Sequence, residues 1–121
     1  RHFSFGGTVT KGKQLGRKIG FPTANIAIEN HKILPTVGVY AVNIMHKDNA
    51  YKGMLNIGIR PTINDSDALT AEVNIFDFDK DIYGDKIELI IKKRLRNEQK
   101  FETVELLKSQ LNEDKLLALN C

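Results

Sequence analysis

Short runs of apolar and β-branched residues, each about as long as one strand, recur along the chain. Five of them, with no long helical pattern in between, occupy residues 3–9, 37–46, 50–59, 70–76 and 86–95. Turn-forming residues separate the runs, and the connection at 46–49 is short enough for a hairpin. This order predicts an antiparallel β-sheet or barrel.

The spacing of apolar residues changes after residue 102. Helical intervals now separate three of them, Val104, Leu107 and Leu111. They predict a C-terminal helix. The Asn-Glu-Asp triplet at 112–114 has the residue types of an N-cap and an acidic first turn, so we expect a second short helix that carries Leu116 and Leu117. Periodicity alone therefore predicts antiparallel β structure with a helical tail.

Size and composition fit one folded domain. The 121 residues are 41% hydrophobic, which is enough to bury a core without disulfides. No apolar run reaches the length of a membrane-spanning helix, and the start shows no signal peptide, so we expect no membrane partner. Because the chain opens on a strand without a methionine, we also expect it to be part of a longer protein.

Charge and cysteine content narrow the function classes further. The 18 basic and 15 acidic residues give a net charge of +3, which favours phosphate ligands but does not by itself indicate nucleic-acid binding. The single cysteine, Cys121, is the last residue and has no intrachain partner for a disulfide. We therefore expect a reducing, cytoplasmic location.

Residues 16–25 combine a glycine-rich basic loop, a proline and two short oxygen-bearing side chains. Pro22 fixes its own φ and biases the residue before it toward extended geometry, so Thr23 and Asn25 should leave the loop in extended chain. Side chains two residues apart then share a face. The Thr23 hydroxyl and the Asn25 amide oxygen are hard ligands that suit Mg²⁺ when phosphate oxygens complete its shell. The alternative is a polar turn capped by these two residues.

Two familiar motifs are matched only in part. Residues 7–14 nearly spell a P-loop, but Gln14 replaces the Ser or Thr that would hold magnesium, and Gly7 falls inside a predicted strand. Acidic residues between 77 and 88 follow the spacing of an EF-hand loop, yet Ile82 stands where the sharp turn needs glycine. We predict neither site.

Glu72 is the candidate for acid–base chemistry. In the predicted strand at 71–76, aliphatic and polar residues alternate, which puts Glu72 on the same face as Asn74. A carboxylate held on a strand can accept the proton of a hydroxyl that attacks phosphorus. The alternative is a carboxylate on the solvated face of an antiparallel sheet.

The densest basic run, at 92–96, has two interpretations. Most of it is expected on a solvated strand edge, where lysine discourages aggregation. In a small nucleic-acid-binding barrel, the run would instead extend a basic track formed by Lys11, Lys13, Arg17 and Lys18. The modest net charge and the aromatic content of 7% weigh against the second interpretation.

Several blocks resemble those of the riboflavin kinase family in order and spacing: 3–9, 20–25, 38–42, 53–62, 72–78, 81–84 and 96–101. The Gly-Phe-Pro-Thr-Ala-Asn block at 20–25 is the most specific, and the resemblance extends over about residues 5–118. It implies a six-stranded antiparallel Greek-key barrel closed by a C-terminal helix. It also implies that residues 1–121 form one riboflavin kinase domain.

The resemblance implies a reaction in which ATP gives its γ-phosphoryl group to the 5′-hydroxyl of riboflavin, forming FMN and ADP. It implies that Mg²⁺ binds Thr23 and Asn25 and that Glu72 is the catalytic base. ATP would contact these two Mg²⁺ ligands and also Gly12 and Arg17. No nucleic-acid partner is expected.

Flavin contacts are implied for Arg96 and Ser109, and the loop at 10–21 is expected to close over the nucleotide as a lid. Many relatives carry a histidine where this chain has Asn74, so no imidazole acts at that position.

In many bacteria this module follows an FMN adenylyltransferase domain. We therefore expect a covalently fused partner domain in the full-length protein and no FAD synthesis by this chain alone. A flavin-storage or docking module of the same fold is the alternative, and the intact set of Thr23, Asn25 and Glu72 argues for catalysis.

Overall fold

The computed structural model describes residues 3–10, 23–28, 36–61, 67–77, 82–99 and 101–120. In chain order their elements are β1 (Phe3–Thr10), β2 (Ala24–Ile28), β3 (Gly38–His46), β4 (Asn49–Pro61), β5 (Asp67–Ile75), β6 (Lys86–Arg96) and helix α1 (Val104–Leu119). The predicted ATP contacts Gly12 and Arg17 lie outside the described residues, as does all of the predicted lid except Thr10.

The six strands close into a barrel in the order β1-β2-β5-β4-β3-β6, and every neighbouring pair is antiparallel. This confirms the predicted barrel and its C-terminal helix. Strand β6 pairs with β1 only as far as Ile91, whereas its pairing with β3 continues to Arg96. Within the described residues the basic run at 92–96 is therefore paired on one side, which agrees with the expected strand edge.

Aliphatic and aromatic side chains from all six strands fill the interior of the barrel. On β4 and β5, Leu55, Ile57 and Val73 are almost completely buried. Because successive side chains on a strand face opposite sides, their neighbours Asn56 and Glu72 face outward. Alternation thus separates the apolar core from an outer wall that carries polar side chains.

Strands β3 and β4 form the predicted hairpin. Their last paired residues are His46 and Asn49, and Lys47 in the turn has a φ of 56°, the left-handed conformation that a tight hairpin turn requires. Strand β2 is the element that periodicity missed, because its five residues give too few alternations to distinguish it from loop. Only the family resemblance implied a sixth strand.

The C-terminal segment is one helix, so the prediction of a second short helix is wrong. Thr103 caps α1, since its Oγ1 accepts a hydrogen bond from the backbone N–H of Leu106 at 3.1 Å. Asp114 lies fully buried inside the helix instead of capping another. Its carboxylate is bound by Arg96 and Gln110, so it does not compete with the helix backbone for hydrogen bonds.

Helix α1 packs on the outer wall of the barrel. Ala118 joins a small buried cluster on that wall with Ala41, Met54 and Phe76. Lys52 Nζ donates a hydrogen bond to the carbonyl oxygen of Leu119 at 3.2 Å, and a cation there also suits the helix dipole. Within the part of the chain that the structure describes, no helix is long and apolar enough to cross a bilayer.

Candidate active site

A pocket lies on the outer wall of the barrel, between the wall and helix α1. Its polar lining includes Thr23, Asn56, Glu72, Asn74 and Arg96. Its apolar lining includes Val39, Met54, Phe101, Leu107 and Leu111. Three of the residues predicted from the sequence, Thr23, Glu72 and Arg96, are therefore brought to one pocket.

Strand register places several of these residues in one row across the wall. Asn25 of β2 is opposite Glu72 of β5, which is opposite Asn56 of β4. Asn56 is opposite Val39 of β3, which is opposite Arg96 of β6. Neighbouring strands lie about 4.8 Å apart, so Glu72 is beside both asparagines and about 14 Å along the wall from Arg96. We call this set the outer-wall row.

Thr23 and Asn25 leave the loop in extended chain, with β2 beginning at Ala24. Ile26 is buried in the core, so Thr23 and Asn25 face the outer wall together with Glu72. Thr10 Oγ1 donates a hydrogen bond to the backbone oxygen of Asn25 at 3.4 Å. The extended geometry predicted for this segment is confirmed.

The donor set on this face suits a hard cation that is shared with a ligand. Among the described residues, no group of three or more His, Cys, Asp or Glu side chains is arranged to hold a metal ion. A cation beside Asn25 would therefore rely on a hydroxyl, an amide oxygen and oxygens of the ligand. Mg²⁺ bound to phosphates accepts such a set, because it takes few protein ligands.

Asn56 was not singled out from the sequence. Its Oδ1 is buried and has no hydrogen-bond partner among the described residues. An unpaired buried acceptor costs roughly 1–3 kcal/mol, so this oxygen needs an explanation. The available signal was an asparagine inside the otherwise apolar strand segment 54–57, since asparagine is depleted in strands.

Arg96 is bound to helix α1 through Asp114. Its Nε lies 3.0 and 2.9 Å from the two carboxylate oxygens, and its Nη2 lies 2.8 Å from Oδ2. Gln110 Nε2 donates to the same carboxylate at 3.0 Å. The guanidinium carbon is 5.7 Å from the centre of the Phe101 ring. We call this group the Arg96–Asp114 clasp, and it joins β6, α1 and the segment that connects them.

Ser109 is exposed and is not among the residues that line the pocket. The helix contributes Leu107 and Leu111 instead. With 100° of rotation per residue, Ser109 lies about 200° around the helix from Leu107. The structure therefore does not place Ser109 with the other predicted residues, and its flavin contact stays a prediction.

Glu98 lies against a bare stretch of the outer wall. A Cβ atom on Gly58 would lie 2.5 Å from Glu98 Oε1, so a larger residue at this position would displace the carboxylate. Gly58 is two residues beyond Asn56 and shares its outward face. The segment that follows β6 thus covers part of the wall next to Asn56.

The complete chain, residues 1–121, matches the family model for riboflavin kinase, or flavokinase. The chain belongs to the riboflavin kinase family. Among curated proteins, it is 44% identical over 108 residues to the RNA-binding riboflavin kinase RibR of Bacillus subtilis, covering 89% of this chain and 46% of that protein. It is 41% identical over 115 residues to the bifunctional riboflavin kinase/FMN adenylyltransferase of the same species, covering 93% of this chain and 36% of that protein. The chain thus spans less than half the length of these two riboflavin kinase relatives.

Two solved structures share the fold. A macrolide-efflux protein from Streptococcus pneumoniae matches 98% of this chain with a TM-score of 0.91 and 35% identity, over 38% of its own chain. A riboflavin kinase from Trypanosoma brucei matches 99% of this chain with a TM-score of 0.68 and 22% identity, over 79% of its own chain. The name of the Streptococcus protein describes that longer chain. Its similarity to the present chain is confined to 38% of its length and covers the barrel and the helix.

Proposed function

We propose that this domain is a riboflavin kinase, which transfers the γ-phosphoryl group of ATP to the 5′-hydroxyl of riboflavin and forms FMN and ADP. One observation carries the proposal: the outer-wall row holds Asn25, Glu72 and Asn56 side by side, and Glu72 and Asn56 line a pocket with an apolar side. Membership of the family supplies the class of reaction.

Glu72 is the proposed catalytic base. It is half-buried on a central part of β5 and lines the pocket. Its carboxylate accepts the proton of the 5′-hydroxyl as that oxygen bonds to the γ-phosphorus and the bond from phosphorus to the ADP oxygen breaks. Phosphoryl transfer asks for little covalent chemistry from the protein, so holding both substrates in position and stabilising charge supply most of the acceleration.

Thr23 and Asn25 are the proposed ligands of Mg²⁺ and neighbours of the ATP phosphates. Their hydroxyl and amide oxygens are hard donors on the same face as Glu72. When bound there, the metal would neutralise charge on the phosphates. Gly12 and Arg17 lie outside the described residues. We propose that they contact ATP because the matching loop of the riboflavin kinase family does so.

The apolar side of the pocket is the proposed site of the flavin ring. It is lined by Val39, Met54, Phe101, Leu107 and Leu111, and such a lining suits a flat, largely apolar ring. The contribution proposed for Arg96 is to hold these walls together through the Arg96–Asp114 clasp.

The proposal extends to the full-length protein. The longer bifunctional relatives support a covalently fused FMN adenylyltransferase domain, and we place the kinase in the cytoplasm because ATP is its substrate. The chain described here would then form FMN but no FAD.

The direct test is to incubate the purified chain with riboflavin and Mg-ATP and to separate the products by chromatography. We expect FMN and ADP in equal amounts, no FAD, and no FMN when ATP is left out. A folded chain that forms no FMN under these conditions would refute the proposed function.

A further inference from the structure

We propose that Asn56 is a ligand-binding residue whose side-chain oxygen accepts a hydrogen bond from a hydroxyl of the flavin's ribityl chain. The inference rests on the proposed function and adds a residue to the same site. Asn56 lies in the 53–62 block of the family resemblance but received no role from it, and three observations lead to one.

The first observation is the state of its side-chain oxygen. Asn56 Oδ1 is buried and, among the described residues, has no hydrogen-bond donor. Buried polar atoms are nearly always paired, and an apolar residue of similar volume would avoid the cost of an unpaired acceptor. The Asn56 oxygen costs stability because it is buried without a hydrogen bond. This points to a ligand that supplies the missing donor.

The second observation is the order of residues in the outer-wall row. Asn25, the proposed neighbour of the phosphates, lies on one side of Glu72, and Asn56 lies on the other. Val39 and Arg96 follow Asn56 at the flavin end of the row. A ribityl chain that runs from the ring to Glu72 must therefore pass Asn56.

The third observation is distance. Side chains directly opposite each other on antiparallel strands have Cβ atoms about 5 Å apart. If Glu72 binds the terminal hydroxyl of the ribityl chain, the hydroxyls on the next carbons lie within reach of Asn56. These hydroxyls donate hydrogen bonds and the Asn56 amide oxygen accepts them, so the two groups are complementary.

The segment that follows β6 lies over the wall next to Asn56. Glu98 rests on Gly58, the next outward-facing residue of β4 after Asn56, and Glu98 also lines the pocket. Entry of the ribityl chain would displace side chains over this part of the wall and replace them with a hydrogen-bond donor.

The test compares two flavins and two variants. Asn56→Leu keeps the approximate volume of the side chain and removes the acceptor. Asn43→Leu is the matched control, because Asn43 is half-buried on the outward face of β3 and is not part of the pocket lining. Riboflavin carries the ribityl hydroxyls, whereas lumiflavin has the same ring with a methyl group in their place. Affinities are measured by quenching of flavin fluorescence, and stability by thermal unfolding.

We expect Asn56→Leu to weaken riboflavin binding by about three- to tenfold, the usual range for one neutral hydrogen bond. Lumiflavin affinity should not change, and the melting temperature should stay the same or rise because an unpaired buried acceptor has been removed. Asn43→Leu should leave both affinities unchanged.

Equal weakening for riboflavin and lumiflavin would overturn the inference and make Asn56 a residue that shapes the pocket. A lower melting temperature with unchanged riboflavin affinity would overturn it in favour of a structural role. Both results leave the proposed function intact as long as the wild-type chain forms FMN. A wild-type chain that binds neither flavin would refute the proposed function and this inference together.

Discussion

The outer-wall row and the Arg96–Asp114 clasp treat polar side chains in opposite ways. In the row, backbone pairing between strands holds Asn25, Glu72 and Asn56 side by side, and Asn56 keeps a buried oxygen unpaired within the described chain. In the clasp, Asp114 is fully buried and both of its carboxylate oxygens are bound by Arg96. We infer that Asn25, Glu72 and Asn56 of the row serve to bind a ligand, whereas the clasp serves to hold α1 against the barrel.

Substitutions in the row and in the clasp should therefore reduce activity for different reasons. A change in the row should remove chemistry or binding while the barrel stays folded, because the row is held by strand pairing. A change in the clasp should loosen α1 first and affect the flavin only through the pocket wall. Four single substitutions, in order of the effect expected, and one double variant test this division.

The largest effect is expected from Glu72→Gln, which keeps the size of the side chain but cannot take a proton. We expect kcat to fall by roughly 10²- to 10⁴-fold with little change in KM, the usual contribution of a general base. Steady-state kinetics with both substrates measure the split, and thermal unfolding checks the fold. A defect confined to KM would make Glu72 a binding residue and remove the base from the row.

Asp114→Ala is expected to lower the free energy of unfolding by about 3 kcal/mol, because it leaves Arg96 without its buried partner. The figure is at the lower end of the usual range since the Arg96 side chain is 18% exposed and can regain some water. Chemical denaturation measures the loss. The matched control is Lys52→Ala, which removes another polar contact between the barrel and α1 and should cost less than about 1 kcal/mol because Lys52 is exposed.

A double variant sharpens this comparison further. Arg96→Met with Asp114→Leu replaces the ion pair by apolar side chains, which often restores stability. If Arg96 acts only through the fold, flavin affinity should recover along with stability. Recovery of stability without flavin affinity would show that Arg96 contacts the flavin itself.

Asn25→Ala tests the phosphate end of the row. We expect phosphoryl transfer to fall by at least about tenfold, because even the loss of a residue that only orients a metal ligand commonly has this size and Asn25 is proposed as a ligand itself. The melting temperature should stay near that of the wild type. Titration of Mg²⁺ in the kinase assay should show a higher requirement in the variant. Asn43→Ala is the control on the same outer wall, and normal turnover in folded Asn25→Ala would withdraw the metal assignment.

The smallest effect is expected from Thr103→Ala, which removes the N-cap of α1. The cost should be about 1 kcal/mol of stability, typical for a lost cap, and it is measured by denaturation. Because the cap lies at the start of the helix and the clasp holds its middle, flavin affinity should change less than in Asp114→Ala. A larger change in affinity would mean that the start of α1, more than the clasp, positions the pocket wall.

Most local features of this chain followed from its sequence; the exceptions are β2 and the continuous C-terminal helix. Runs of apolar and β-branched residues predicted five of the six strands, and the short connection at 46–49 predicted the hairpin between β3 and β4, because strand preference and the chemistry of a tight turn are local properties. Pro22 likewise predicted that Thr23 and Asn25 leave their loop in extended chain and share a face. The motif at 20–25, in its order with the other blocks, indicated the family.

Only the tertiary structure decided what these local pieces face. The outer-wall row exists because β2, β4 and β5 pair in one register, and pairing between strands that are distant in sequence is not encoded in any one segment. Asp114 had the residue type of a cap, yet Arg96, 18 positions away, satisfies its carboxylate and lets a single helix continue past it. In the sequence, Asn56 is one polar residue in an apolar strand. The structure shows that it lies opposite Glu72 and that its buried side-chain oxygen has no hydrogen-bond partner among the described residues.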